Sequence, residues 1–147
     1  MAITKYPPNT VWLGGPRTEV GDLSAGEVIT PGMLVERYNN AGVVRFRKHS
    51  TSGGVTHTFA TEQSMLNKGV DETYAIGDLM EVTIGSPGTT FWGLIASGAN
   101  LAAGDKLGSA GNGLLAAVGG GTAIAIAIEA KNNAAGPGNA RIRAEIL

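Results

Sequence analysis

Short runs in which apolar and polar residues alternate recur along this chain, and turn residues separate one run from the next. In the run "ARIRAEIL", Ile142, Ala144 and Ile146 would share one face and the charged residues the other, as in a half-buried β-strand. "LMEVTI", "VVRFRK" and "VTHTF" repeat the pattern, and turns such as "NNAG" and "AGNG" lie between such runs. In "AIAIAI" both faces are apolar, so we expect both to be buried, one of them against a very close neighbour, as in a central strand. The pattern therefore predicts an all-β fold.

The alternation also predicts which side chains point inward. In "LMEVTI" we expect Met80, Val82 and Ile84 to face the core and Thr83 to face outward. In "VTHTF", His57 shares its face with two apolar residues. We therefore expect a hydrogen-bonded core histidine at this position rather than a metal ligand, because no cysteine or nearby pair of carboxylates completes a site.

One segment, "TEQSMLNKG", has the signals of a short helix. Thr61 would be its N-cap and Gly69 its C-cap, with Met65 and Leu66 facing inward. The helix would be about two turns long, and we expect it to cover an open end of the fold.

One short sequence pattern, which we call the recurring step, occurs at three places in the chain. A large apolar residue precedes a glycine by three positions, and an apolar residue returns soon afterwards. The three glycines are Gly32, Gly77 and Gly104, and the last two are followed by aspartate. A glycine supplies a backbone conformation closed to other residues, and the aspartate can accept hydrogen bonds from turn amides. The step predicts sharp corners where a sheet curls into a barrel. Corners of this kind are common in all-β proteins, and an internal duplication is the other interpretation.

Composition limits the function classes. The chain has 147 residues, a formal net charge of −1 and no cysteine, which argues against binding through nucleic-acid phosphates and excludes disulfides. Its start lacks the features of a signal peptide, and its longest apolar stretch is too short to span a bilayer. We expect a soluble, unexported protein with no membrane association. No arrangement of residues predicts a catalytic, cofactor or metal site, so we expect no enzyme activity.

The first sixteen residues differ from the rest. They have no strand period, and Pro7 and Pro8 keep the segment out of a central strand. We predict an extended N-terminal arm over residues 1–16, followed by one β-barrel domain over residues 17–147. The candidate partner contacts are the arm residues Tyr6, Pro7, Pro8, Val11, Trp12 and Leu13. The alternative is an arm that folds over its own barrel. Deletion of residues 1–15 is expected to leave the barrel folded and to weaken attachment to a partner.

From about residue 17 onward the chain resembles the decoration, or cement, proteins of tailed-phage heads. The resemblance lies in the order of several segments: "LSAGEVITPGMLVE", "FATEQSMLNKGVDETYAIGDLMEV", "FWGLIASGANLAAGDKLGSAGNGLLAA" and "AIAIAIEAKNNAAGPGNARIRAEIL". It implies a compact β-barrel or β-tulip. With the residue patterns above, the predicted fold is such a barrel of short antiparallel strands with one short helix and an extended N-terminal arm.

The resemblance also implies a role. Such a protein would bind the outer surface of an assembled capsid and stabilise the shell, with the major capsid protein and neighbouring copies, often as trimers, as its partners. It would be part of the virion, after time in the host cytoplasm during assembly. The alternative is a small-ligand or carbohydrate-binding barrel, for which Tyr74, Phe91 and Trp92 are the available aromatic cluster.

Overall fold

A computed structural model describes residues 10–147 of the chain, and almost all of its regular structure is β-strand. A single 3₁₀ turn, Ser64–Leu66, is the helical element of the described residues. The strands in chain order are β1 (Trp12–Gly14), β2 (Arg17–Val20), β3 (Val35–Asn40), β4 (Val43–Lys48), β5 (Thr58–Ala60), β6 (Val82–Gly85), β7 (Thr90–Ile95), β8 (Asn100–Leu101), β9 (Lys106–Ser109), β10 (Leu115–Ala117), β11 (Ala125–Ala127), β12 (Lys131–Asn132) and β13 (Ala140–Ile146).

Five of these strands close into a barrel, in the order β7, β13, β11, β9, β10 and back to β7. The longest ladder is the antiparallel pair β7–β13, which runs from Ala140 opposite Ile95 to Glu145 opposite Thr90. The next three pairs are also antiparallel. A parallel pairing of Leu115 with Ile95 closes the ring. The all-β barrel predicted from the sequence is confirmed.

The barrel interior is filled by the residues that the alternation assigned to it. Ile142, Ala144 and Ile146 of β13 are all buried in one apolar cluster. Ala125 and Ala127 of β11 belong to the same cluster. A five-stranded barrel is narrow, so small side chains are needed on some of its inward positions. β11 pairs with β13 on one side and β9 on the other, which confirms the prediction of a central strand. The prediction that both of its faces are buried is wrong, because Ile128 on the isoleucine face is 40% exposed.

A second layer covers one side of the barrel. It consists of the sheet β2–β6–β5 and the hairpin β3–β4. A second apolar cluster lies beneath it and includes Ile29, Phe46, Tyr74, Met80 and Leu94. Leu94 comes from the barrel strand β7, whose inward neighbour Ile95 belongs to the first cluster. The two cores are therefore built on opposite faces of the same strand.

The prediction that Thr83 faces solvent is wrong, because its exposed fraction is 0%. Thr83 pairs with Phe59, which packs in the barrel cluster, whereas the next pair, Val82 with Ala60, packs in the second cluster. Strand β6 thus has an apolar cluster on each side. Alternation of apolar and polar residues predicts a solvent-exposed polar face only for a strand that packs on one side. Because β6 is packed on both sides, its polar residue Thr83 is buried.

The helix predicted over residues 61–69 is also not formed. The Thr61 hydroxyl donates to the carbonyl of Glu81 instead of capping a helix. The 3₁₀ turn ends at Asn67, which has a left-handed backbone conformation. Met65 and Leu66 are 89% and 62% exposed, so the prediction that they face inward is wrong.

Each of the three predicted corners is a four-residue turn. The amide of the residue after the glycine donates to the carbonyl three positions earlier, as from Asp78 to Ala75 at 3.0 Å. The glycine φ angles are +97° for Gly32, +91° for Gly77 and +89° for Gly104, the left-handed region required by a type II turn. The glycine N–H groups donate to carbonyls of other segments, at Ala60, Ala25 and Ala127 respectively. Each corner is thereby fastened to a distant part of the chain.

The side chain after each glycine completes its corner. The carboxylate of Asp78 accepts a hydrogen bond from the Ala75 amide at 2.9 Å, and Asp105 accepts one from Ala102 at 2.9 Å. At the first corner the sulfur of Met33 occupies the equivalent position, 3.5 Å from the Thr30 amide nitrogen. The three steps are therefore the same local structure, with methionine as a weaker acceptor in one of them.

Candidate docking surface

The end of the predicted arm is joined to the barrel. Residues 12–14 form β1, which pairs antiparallel with β7 and places Trp12 opposite Phe91. Val11, expected as a partner contact, is instead fully buried in the barrel cluster. Trp12 is half-buried beneath the guanidinium of Arg17, and Leu13 is 42% exposed. Of the remaining candidate contacts, Tyr6, Pro7 and Pro8 lie outside the described residues.

The segment around the 3₁₀ turn lines an open groove of about 510 Å³. Its apolar lining includes Met65, Leu66, Leu79 and Met80, and the first three of these are more than half exposed. Ile76, next to the lining residue Gly77, is 67% exposed. Large apolar patches with polar rims mark interaction sites on proteins. We call the surface formed by residues 63–68 and 76–81 the apolar groove.

Tyr74 holds the two sides of the apolar groove together from below. Its side chain is buried, and its hydroxyl donates to the carbonyl of Thr61 at 2.7 Å. The same hydroxyl accepts a hydrogen bond from the amide of Glu81 at 3.2 Å. Burial raises the pKa of Tyr74 to about 12, so the phenol is neutral at ordinary pH. The groove is thus a fixed surface rather than a product of loose loops.

The rim of the apolar groove is negative on balance. Its charged residues are the acidic Asp78 and Glu81 and the basic Lys68. Within residues 10–147, neither of these two carboxylates lies within 4 Å of a basic side chain. The Asp78 carboxylate accepts a hydrogen bond from the Ala75 amide at 2.9 Å, and the Glu81 carboxylate accepts one from the Ser64 hydroxyl at 3.2 Å.

A second unusual surface is the tip of the hairpin β3–β4, residues 37–45. Its turn at Ala41 and Gly42 has positive φ at both residues, which suits a two-residue hairpin loop. Val43 and Val44 are 53% and 47% exposed. Residues paired across a hairpin share a face, so Val44 lies on the face of Arg37 and Phe46, and Val43 on the face of Arg45. Each face of the tip therefore presents one valine and one arginine.

The aromatic residues do not form a ligand platform. Tyr74 and Phe91 are buried in different clusters. Phe91 stacks on Phe59 with 4.3 Å between ring centroids, and Trp92 is half-buried with Arg143 above its ring. The mouth of exposed aromatics expected for a carbohydrate-binding barrel is not formed by these three residues.

The buried histidine is His49 rather than His57. His57 is partly exposed, whereas His49 is 4% exposed, with Nδ1 2.6 Å from the hydroxyl oxygen of Ser109. Its Nε2 lies 3.8 Å from the carboxylate of Glu36. The Ser109 hydroxyl also accepts a hydrogen bond from the Gly111 amide. The group resembles a Ser-His-carboxylate relay, but both ring nitrogens are sealed inside the fold. We interpret it as a structural hydrogen-bonded link between β3, the end of β4 and β9.

Glu36 has several partners besides His49. Its carboxylate accepts hydrogen bonds from the Ser50 hydroxyl at 2.6 Å and from Arg47 at 2.8 Å. Burial acts to raise the pKa of Glu36, but these hydrogen bonds and the charge of Arg47 outweigh it, and its pKa lies below the usual value. Glu36 is therefore a charged, structural carboxylate.

Sequence reasoning missed the apolar groove, because Met65 and Leu66 were assigned to the inner face of a helix. A signal was available at Ile76. Ile76 is the second residue of the four-residue turn that ends at Asp78, directly before Gly77. The second residue of such a turn is at the surface, so an apolar residue there indicates an exposed apolar side chain.

Within residues 10–147, no three His, Asp or Glu side chains are grouped so that they could hold a metal ion. The described part of the chain also contains no helix with the length and apolar character needed to cross a membrane.

The fold is similar to that of a solved structure, the head fiber gp8.5 N base of bacteriophage phi29. The TM-score is 0.60, and the likeness covers 90% of this chain and 95% of that chain. The two sequences are 11% identical, so the likeness establishes the fold alone. No protein-family model and no curated protein matches the chain.

Proposed function

We propose that the protein is a non-catalytic structural component of a phage virion, which binds the outer surface of the assembled capsid and stabilises the shell. The observation that carries the proposal is the shared fold with a phage head fiber base over nearly the whole of both chains. The ordered sequence segments that resemble head decoration proteins favour the same class independently.

The surface chemistry suits such a role. A decoration protein needs a rigid body and exposed contact residues rather than a deep pocket. The closed barrel supplies the rigid body, and the exposed apolar side chains supply contacts. A net charge of −1 allows many copies to lie side by side. Because binding requires the assembled shell, it stabilises that state by mass action, and weak contacts repeated over a lattice add up.

The partners in this proposal are the major capsid protein and neighbouring copies of the chain, as trimers. We assign the capsid contact to Trp12 and Leu13 together with Tyr6, Pro7 and Pro8. Val11 is excluded from this set because it is buried in the barrel. Its burial fixes the strand from which Trp12 and Leu13 are presented. The protein would lie on the outer capsid surface, and in the host cytoplasm before assembly is complete.

The test uses heads assembled without this chain. Purified protein is added, the heads are sedimented, and bound protein is measured before the heads are exposed to heat or osmotic shock. Decorated heads are expected to remain intact under conditions that burst bare heads. Equal bursting would contradict the stabilising role, and absence of co-sedimentation would contradict binding.

Two matched variants locate the contact. Leu13→Asp places a charge on the assigned contact surface and is expected to reduce co-sedimentation at least tenfold. Leu147→Asp changes a residue of similar exposure, 46% against 42%, and is expected to bind as the parent does. If both variants bind as the parent does, β1 is not part of the capsid contact.

A further inference from the structure

Two exposed surfaces of the chain have complementary chemistry. The apolar groove combines exposed methionine and leucine side chains with the carboxylates of Asp78 and Glu81, and Lys68 is its one basic lining residue. The tip of hairpin β3–β4 combines exposed valines with Arg37 and Arg45, and residues 37–45 contain no acidic residue. The groove is concave and has a net negative charge, whereas the hairpin tip is exposed and positive.

The charges on the hairpin tip lack partners in their own copy. Within residues 10–147, neither Arg37 nor Arg45 has a carboxylate within 4 Å. Arg37 lies 5.4 Å above the Phe46 ring, which leaves its guanidinium hydrogen-bond donors available. The adjacent Arg47, by contrast, is paired with Glu36. The unpaired arginines are therefore the two that lie nearest the tip.

From this complementarity we infer that the hairpin tip of one copy docks in the apolar groove of a second copy. Val43 and Val44 would cover Met65, Leu66 and Leu79. Arg37 and Arg45 would lie against the rim, which is negative on balance. The inference deepens the self-association in the proposed function, since it names the two surfaces that meet.

The contact is heterologous, because the two partners contribute different surfaces. An open assembly has a free tip at one end and a free groove at the other until a ring closes, so the same contact can build a trimer or a longer array. Opposite charges at the rim orient the approach and suppress wrong pairings, and apolar burial in the centre supplies affinity. Association should therefore weaken as salt is added.

The experiment is sedimentation velocity of the free, full-length protein over a range of concentrations. Met65→Asp blocks the groove and Val43→Asp blocks the tip, and Leu66→Asp and Val44→Asp repeat each change at a second exposed residue. Val55→Asp is the matched control, since Val55 is 57% exposed and lies in neither surface. The melting temperature of each variant verifies folding.

The parent protein and Val55→Asp are expected to form assemblies that grow with concentration and dissociate with salt. Each blocked variant alone should remain a monomer. An equimolar mixture of Met65→Asp and Val43→Asp should form a dimer, because the intact tip of the first fits the intact groove of the second.

Three results would overturn the inference: a parent protein that is monomeric throughout, a blocked variant that assembles like the parent, or a mixture that stays monomeric. The assay contains no phage heads, so these results leave the capsid-binding proposal to its own test. A failure of capsid binding likewise leaves this contact standing.

Discussion

Gly32 has less space around it than the other two corner glycines. A Cβ atom built on Gly32 would lie 2.6 Å from the carbonyl oxygen of Trp92 and 2.7 Å from a guanidinium nitrogen of Arg141. At Gly77 and Gly104 nothing lies within 4 Å of such an atom. All three positions have the positive φ that disfavours other residues, but only Gly32 adds a close approach to another backbone.

Alanine substitutions should separate these two effects. Gly77→Ala and Gly104→Ala are expected to lower the free energy of unfolding by about 1–2 kcal/mol through backbone strain alone. Gly32→Ala should cost a further 1–3 kcal/mol, roughly, because the chain must also shift around the new methyl group. Urea unfolding measures all three.

Gly69→Ala is the control, because Gly69 has neither a positive φ nor a neighbour within 4 Å. It should not destabilise the protein. Three corner variants as stable as the parent would mean that the recurring step has no structural role.

Glu36 makes stability depend on pH. Because its pKa is lower in the folded protein than in the unfolded chain, it stabilises the fold above its ordinary pKa of about 4.3 and loses that effect as the pH falls toward its folded value. Glu36→Gln should therefore be less stable than the parent at pH 6. The difference should shrink below about pH 4. A constant difference from pH 6 to pH 3 in urea unfolding would contradict this account.

At this scale, the sequence predicts what is local. The turn conformation at Gly77 depends on four consecutive residues, and so it could be predicted. The crowding at Gly32 depends on Trp92 and Arg141, which are distant in sequence, and it could not. The assignment of the buried histidine failed for the same reason, since the partner of His49 is Ser109.

Among the elements, β1 sets the limit of the N-terminal arm. Val11 is fully buried, and residues 12–14 pair with β7. A deletion of residues 1–15 therefore removes Val11 from the barrel's apolar cluster and β1 from the edge of β7, whereas the sequence predicted a segment outside the core. A deletion of residues 1–9 leaves all of these contacts in place.

The two deletions should differ in stability. Loss of residues 1–9 is expected to leave the melting temperature close to that of the parent. Loss of residues 1–15 removes the buried Val11 side chain, worth about 1.5–3 kcal/mol, together with the β1 ladder. Calorimetry measures both. Equal melting temperatures for the two deletions would show that β1 contributes nothing to the barrel.

Element by element, the strands were predictable and the turn at residues 64–66 was not. Strand β13 follows from alternation, because one of its faces is apolar throughout. Residues 61–69 contain the capping residues of a short helix, but these side chains form hydrogen bonds to other parts of the chain instead. Thr61 bonds to Glu81, and Glu62 bonds to the Val11 amide. The apolar groove exists because this segment did not become a helix.

For the whole molecule, the barrel was predicted, but the order of the strands around the ring was not. Alternation predicts strands and their inward faces, but pairing of β7 with both β13 and β10 is a property of the complete fold. The second core was likewise hidden, because Leu94 and Ile95 are adjacent in sequence and belong to different clusters.

Hydrogen exchange should reveal this hierarchy in dilute protein. Amides of β7, β9, β11 and β13 are expected to exchange most slowly, because they open only when the barrel does. Amides at the hairpin turn, residues 40–43, should exchange fast, since that turn is exposed. Barrel amides that exchange as fast as the turn would contradict a closed, cooperative ring.

The place of β13 in the ring has a consequence for biosynthesis. β13 lies between β7 and β11, yet residues 96–139 separate it from β7 in the chain. At about 5–20 residues per second, a ribosome needs several seconds to translate that interval. During this time, the edge of β7 that pairs with β13 in the folded protein is unpaired. It can therefore pair with the β13 of another nascent chain on the same messenger RNA. Strand exchange between such chains is therefore the misfolding reaction that competes with this topology, and pairing of β7 with its own β13 must be faster than that exchange.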